Sequence, residues 1–428
     1  MRPFLRAACA VIGAIALSAC SSSPTDDADA GPSDDAARPC VGCDAAPTPI
    51  DGAADATPPD AASDAPGASA CFVTRSGASL SWRGGALSFV GANLRGVAYR
   101  SNGDIDAQLK AAAAMGMRVI RVFAVKNDRG AQQVGDAIAN LFARAKAVAP
   151  ELQFVLSLED FYATGFCAQG DDGAYTNGLL APAWFQGGYK THYRPTVLAL
   201  AQRFKDEPRV LAWEIGNELS AGSAGALLDF AYDVGWAIKN AGVKQIVTTG
   251  FIDVNHAIAG GVTDQVLGQV YAGPWKSWNK SPFDLGSVHA YNNEQQPGNP
   301  FGYQLQDKDI AWFQAHAVPY VVGEGGFNGG GNVPCAVFTG AQWDGVAIPS
   351  AQSDRGPATS ATMGRFFGAK GASGWLQWGL MTGPDNGEGD RCSGMDTVFH
   401  GDWASLSSVF QARAAQLPKG GAQACSNW

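Results

Sequence analysis

Two stretches of this 428-residue chain carry an apolar run into a glutamate. The first reads Val210-Leu-Ala-Trp-Glu-Ile-Gly-Asn-Glu218 and the second Tyr320-Val-Val-Gly-Glu324-Gly-Gly. Short apolar runs of this kind read as buried strands, so Glu218 and Glu324 would emerge where a strand gives way to a loop. Breaking a glycosidic bond calls for two carboxyl groups. One protonates the leaving oxygen, and the other attacks the anomeric carbon or activates water. A single strand-end glutamate is as readily explained by an ion pair or a helix cap; two in equivalent positions point to this chemistry. Other chemistries lack their residues. Gly91–Gly96 has phosphate-loop spacing without the Lys-Ser/Thr that must follow, and the glycines of Gly323–Gly331 follow a strand without opening a helix. No His/Cys/Asp group has metal-ligand spacing, and no Gly-x-Ser-x-Gly nucleophile elbow occurs. Neither a metal nor any other cofactor is expected.

The elements that must position the two carboxyls follow a regular rhythm. Strands are predicted at Leu87–Ala92, Val119–Phe123, Phe154–Leu158, Val210–Ile215, Gln245–Thr249, Leu285–His289, Tyr320–Gly323 and Gly374–Trp378. Between them, helical patterns cover Asp104–Met115, Gln132–Ala149, Tyr189–Phe204, Ala224–Asn240, Tyr303–Ala317, Ser360–Gly368 and Ser405–Leu417. The stretch Phe251–Gly268 is glycine-rich and shows no clean helix. Eight strands alternating with helices predict an α/β fold, a (β/α)8 TIM barrel whose chemistry gathers at the carboxyl ends of its strands.

With these residues in place, the chain resembles glycoside hydrolase family 5 and its clan of retaining barrel enzymes, and within it the endo-β-1,4-mannanase branch. The likeness runs from about Leu87 to Trp378. It rests on Phe89-Val-Gly-Ala-Asn93, on Tyr189-Lys-Thr-His-Tyr, on Arg203-Phe-Lys-Asp-Glu-Pro-Arg through Asn217-Glu218, and on Gly286-Ser-Val-His-Ala-Tyr291. The resemblance implies Glu218 as acid/base and Glu324 as nucleophile. It implies that Arg121 and Tyr291 hold the nucleophile and that Asn217 meets the sugar 2-hydroxyl. His289 would orient groups around the acid/base or a sugar hydroxyl, and Asn93 would contribute from the first strand. Each has a blander reading: Arg121 as a neutraliser of some barrel carboxylate, His289 and Tyr291 as packing, Asn93 as a turn residue.

Family members also floor the sugar site with a tryptophan on the eighth strand, here Gly374-Trp-Leu-Gln-Trp-Gly379. Trp375 and Trp378 are three apart, so strand alternation turns only one of them inward, and Trp378 is favoured. Trp184, Trp275 and Trp278 read first as packing residues. Two positions depart from the family. Leu156-Ser-Leu-Glu-Asp-Phe-Tyr162 has Glu159 and Asp160 where many relatives carry a histidine, and Leu219 stands where many have proline.

The first seventy residues do not read as part of this domain. Arg2 and Arg6, an apolar run from Ala7 to Leu17 and Leu17-Ser-Ala-Cys20 make residues 1–20 a lipoprotein-type signal peptide, with Cys20 as the lipidated residue. The run is too short to span a bilayer, which takes about 20 residues. Residues 21–70 hold ten Asp and one Arg among Ala, Pro, Ser, Thr and Gly, and read as a disordered, self-repelling tether. That tether carries the chain's net charge of −9, leaving residues 71–428 close to neutral. Without a basic patch, nucleic acid is not an expected partner. Export permits disulfides. Cys71 and Cys425 bracket the domain and are expected to pair, and two of Cys167, Cys335 and Cys392 could join between loops. Cys40 and Cys43 would close a small local ring.

The reading is an exported, membrane-anchored retaining glycosidase cutting a β-1,4-linked polysaccharide, mannan or glucomannan first. A β-glucanase of the same family is the second choice. The alternative from another class is a surface lipoprotein that binds glycans without cutting them.

Overall fold

In the computed structural model, residues 71–291, 304–326, 342–343, 346–347, 355–381, 395–396 and 403–425 are described. Residues 1–20 and 21–70, expected as signal peptide and tether, with Cys20, Cys40 and Cys43, lie outside them, as do Cys335 and Cys392. Eight strands form one parallel sheet: β1 Phe89–Asn93, β2 Val119–Phe123, β3 Gln153–Ser157, β4 Val210–Glu214, β5 Ile246–Thr248, β6 Gly286–Tyr291, β7 Tyr320–Gly326 and β8 Gly374–Gln377. Their order around the sheet is β5-β4-β3-β2-β1-β8-β7-β6. A parallel bridge between Thr248 and Leu285, with Asp284 N–H donating to Val247 C=O at 2.9 Å, joins β5 to the start of β6 and closes the ring. The longer helices are α1 Asn102–Ala114, α2 Ala131–Val148, α3 Tyr193–Phe204, α4 Ala224–Asn240, α5 Asp264–Tyr271, α6 Gln304–Ala315, α7 Arg355–Phe367 and α8 Trp403–Gln416. This is a (β/α)8 barrel.

Alternation along the strands sorts the apolar residues into two separate cores. Val90, Ile120, Phe154, Trp213, Val247, Val288, Val322 and Trp375 pack outward against the helices. Phe89, Val119, Val155, Ala212, Ile246, Leu285, Val321 and Leu376 fill the lumen. A short antiparallel sheet (Thr74–Ser76, Ser79–Trp82, Gly85–Leu87) adds Leu80 and Trp82 to that inner cluster, at the end where the strands begin. The carboxyl-terminal segment runs against this sheet: Leu87 bridges Lys419, and Gly421 N–H donates to Trp82 C=O at 2.8 Å. Cys71 and Cys425 form a disulfide there, across 354 residues of sequence, as expected. Cys167 is a buried free thiol.

Three local expectations change. The helix expected from Tyr189 begins at Tyr193, after a 3₁₀ turn at Gly188–Lys190, and takes Pro195 in its first turn, where a missing N–H costs little. The glycine-rich fifth unit holds two short helices, Val254–Ala257 capped by Asp253 and α5 capped by Thr263. The seventh strand continues past Gly323 to Gly326, because the register shifts against both neighbours allow it to stay paired.

The disulfide constrains the unfolded chain, so its loss should lower stability by about 2–4 kcal/mol. Thermal unfolding of the wild type with and without reductant, and of Cys71→Ser/Cys425→Ser, measures this. An unchanged midpoint would show that the bond contributes nothing.

Candidate active site

The site is a polar layer that caps the lumen core at the carboxyl ends of the strands, and its centre is Arg121. On β2, Val119 and Arg121 point inward by alternation, so the guanidinium enters the barrel axis and is 0% exposed. It donates Nε–H to Glu214 at 3.0 Å and one Nη2–H to the same carboxylate at 2.6 Å, a two-pronged pairing. Nη1 donates to Glu324 Oε1 at 2.7 Å and to Asn93 Oδ1 at 2.9 Å, and Nη2 reaches Asn217 Oδ1 at 2.8 Å. Burial works against this charge, and the facing carboxylates Glu214 and Glu324 more than restore it, so Arg121 stays protonated.

Glu324 reaches the axis through a break in the strand pattern. Val321 belongs to the lumen and Val322 to the outer layer, so strict alternation would send Glu324 outward. The pairing register of β7 shifts between Val288 and His289 on one side and between Val322 and Gly325 on the other. This irregularity turns Glu324 inward, as bulges beside functional sites commonly do. Gly323 permits it: a Cβ there would lie 2.7 Å from Ser287 Oγ and 3.0 Å from His289 Nε2. The second Glu324 oxygen accepts from Tyr291 hydroxyl at 2.8 Å. Burial pushes the Glu324 carboxyl up, and the Glu218 charge adds to this; His289, Arg121 and Tyr291 pull it back.

Glu218 sits just beyond β4 with a left-handed backbone, φ 53°, a conformation that costs a residue with a side chain of order 1 kcal/mol and recurs at active sites. Its N–H is held by Gly250 C=O at 2.9 Å. Its Oε1 lies 2.6 Å from His289 Nδ1, and the Tyr162 hydroxyl faces the same carboxyl. Burial lifts Glu218 to about 7, against the opposing effects of Tyr162 and Arg121. Burial also lowers His289 to about 4, so its imidazole is neutral near pH 7. Ligand-capable atoms of Glu218, His289 and Glu324 all lie within 4.8 Å of one another. Such a trio offers a cation three donors, and one of its members, Glu324, already accepts from Arg121 through Oε1 at 2.7 Å.

The structure gathers Asn93, Arg121, Asn217, Glu218, His289, Tyr291 and Glu324 at one place. Asn93, 1% exposed, is spent on support: besides accepting from Arg121, it donates Nδ2–H to Gly323 C=O at 3.0 Å. The two tryptophans separate. Trp378 is half-buried, its ring 6.4 Å from that of Phe123. Trp375 is not at the site: it is fully buried in the sheet–helix layer, edge-on to Phe366 of α7 at 5.5 Å, because alternation turns it outward. Of the other tryptophans, Trp184 is buried in an aromatic cluster with Tyr193 and Phe230, while Trp275 and Trp278 are half-buried. Glu214 was not singled out from the sequence, although a carboxylate two positions beyond lumen-facing Ala212 must itself face inward and needs a cation there.

No protein-family profile matches the chain. Among curated proteins, mannan endo-1,4-beta-mannosidase A of Hypocrea jecorina is 24% identical over 270 residues, 58% of this chain and 59% of that protein. A probable mannan endo-1,4-beta-mannosidase F of Aspergillus flavus is 25% identical over 271 residues, 57% of this chain and 52% of that protein. The chain thus spans little more than half the length of these relatives. Among solved structures, the endo-1,4-beta-mannanase from Rhizomucor miehei matches with a TM-score of 0.60 at 13% identity, covering 81% of this chain and 99% of that one. The endo-beta-1,4-mannanase from Thermotoga petrophila matches at 0.56 and 15%, covering 77% and 76%. The chain is similar in sequence to mannan endo-1,4-beta-mannosidases over a little more than half its length. At these identities the structural likeness concerns the fold alone.

Removing Arg121 would leave Glu214 and Glu324 as buried carboxylates without their cation. Arg121→Ala is therefore expected to destabilise the fold by about 3–5 kcal/mol. Denaturant unfolding tests this, and a loss below 1 kcal/mol would show that the ion cluster is not a structural keystone.

Proposed function

We propose that the chain is a retaining glycoside hydrolase, an endo-β-1,4-mannanase acting on mannan or glucomannan. One observation carries the reaction class: carboxyl oxygens of Glu218 and Glu324 come within 4.8 Å of each other at the mouth of the barrel. Retaining glycosidases hold their carboxyl pair about 5–5.5 Å apart, whereas inverting enzymes separate it by about 6.5–9.5 Å to admit a water. The sequence similarity to mannan endo-1,4-beta-mannosidases supports mannan as the polymer.

In this reading the environments divide the labour. Glu218, lifted to about 7, carries the proton that the leaving oxygen receives. Glu324 bonds to Arg121 and Tyr291 in its ionised form and attacks the anomeric carbon, giving a covalent glycosyl–enzyme. Glu218, now a carboxylate, takes a proton from the water that releases the sugar. Neutral His289 fixes the Glu218 carboxyl without adding a charge. Arg121 touches two carboxylates and can balance only one, so the cluster keeps negative charge where the oxocarbenium-like state develops positive charge. Trp378 would floor the sugar site. The signal-like residues 1–20 and the acidic stretch 21–70 support export, with Cys20 as lipid anchor to the membrane.

Reducing-sugar release from mannan should fall at least about a thousandfold in Glu218→Ala and in Glu324→Ala. Azide separates the roles. With an aryl glycoside, the Glu324→Ala variant should yield an α-glycosyl azide, and the Glu218→Ala variant a β-glycosyl azide. Swapped products would reverse the assignment, and wild-type binding without turnover would exclude an enzyme.

A second expectation concerns pH. A general acid must hold its proton, so kcat/KM should decline as pH rises through about 7, the Glu218 value. An alkaline limb that stays flat to about pH 9 would contradict Glu218 as the acid.

A further inference from the structure

Glu159 and Asp160 follow β3 alongside the Asn217–Glu218 turn, with Asp160 bridged in parallel to Asn217. Asn217 N–H donates to Glu159 C=O at 2.6 Å, and Phe161 N–H donates to Asn217 C=O at 3.0 Å. The two neighbouring carboxyls then diverge. Glu159 turns into the loop, where Tyr175 hydroxyl donates to it at 2.9 Å. Asp160 turns toward the site: its Oδ1 accepts Nδ2–H of Asn217 at 2.8 Å, and its Oδ2 accepts from Thr164 hydroxyl.

Asn217 is therefore held between opposite charges. Its Oδ1 faces the Arg121 guanidinium and its Nδ2 faces the Asp160 carboxyl, each at 2.8 Å. Asp160 is 1% exposed and Asn217 4%, so water does not screen either contact. A flipped amide would set NH₂ against the guanidinium and oxygen against the carboxylate, two buried repulsions in place of two bonds. The other N–H of Nδ2 has no acceptor among the described residues. The Arg121 charge on Oδ1 draws electron density toward the oxygen and strengthens that N–H as a donor. Burial raises Asp160 to about 6, opposed by Thr164, Asn217 and the charge of Arg95.

We propose that Asp160 is a positioning residue that fixes the Asn217 amide so that its remaining N–H meets the 2-hydroxyl of the sugar ring being cleaved. The role rests on the glycosidase reading above. It makes the Asp160–Asn217–Arg121 chain a sensor of that one hydroxyl, whose hydrogen bond strengthens in the transition state.

The test compares a dinitrophenyl β-mannobioside with its analogue lacking the 2-hydroxyl on the ring bonded to the aryl group. Asp160→Ala should lower kcat/KM about 10- to 100-fold on the parent substrate, mostly in kcat, and by about threefold or less on the deoxy analogue. Asp160→Asn, which keeps an acceptor oxygen for Asn217, should fall between. If Asp160→Ala does not fold, the isosteric Asp160→Asn carries the comparison, with loss confined to the parent substrate supporting the role. Equal losses on both substrates would reduce Asp160 to general support, and no loss on either would also overturn the role. Wild type inactive on both this mannobioside and the matching cellobioside would remove the glycosidase reading, and this role with it.

Discussion

A cation in the axis of a barrel is expensive to bury, and the organisation of this site follows from how that cost is met. Arg121 has no access to water, so each of its donors must find an acceptor inside the protein. Glu214, Glu324, Asn93 and Asn217 supply them from β4, β7, β1 and the β4 loop. The guanidinium is thus a plug and a ruler together: it seals the lumen core beneath it and sets the spacing of strand ends above. Its planar fork is what makes this possible, since a lysine would offer one point of charge to four acceptors.

The same constraint explains why the two glutamates of β4 differ in character. Glu214 is bound face-on by Arg121 and faces inward below the mouth. Glu218, four residues on, has left the strand through a left-handed turn and meets a neutral imidazole instead of the cation. Similar carboxyls on one short segment are set apart by what faces them, not by their own chemistry.

Much of the frame was legible in the sequence because strand alternation and helix punctuation are local signals. Val119–Phe123 and Ala224–Asn240 have the predicted bounds, and the other barrel strands shift by a few residues at their ends. The amino-terminal sheet went unread, since Thr74-Arg-Ser76 is exposed and its strands are only three or four residues long. At the site, residue types were visible but directions were not. Trp375 could be separated from Trp378 only once the phase of β8 was fixed by lumen-facing Leu376. Glu324 is the reverse case: its inward course depends on a bulge that no spacing rule announces. Glu214 was hidden within an apolar strand, and its importance appears only with the residue it faces across the barrel.

The disulfide between Cys71 and Cys425 has a topological side as well. It turns the folded domain into a covalent ring, with each end of the described chain fastened to the other. A protease that cuts one surface loop within that ring opens it without dividing it, and both halves stay attached on either side of the bond. The same closure means that the place where the peptide begins is, for the barrel, nearly arbitrary. A chain restarted in one of its loops, with residues 71 and 425 bridged by peptide instead of sulfur, would enclose the same strands in the same cyclic order.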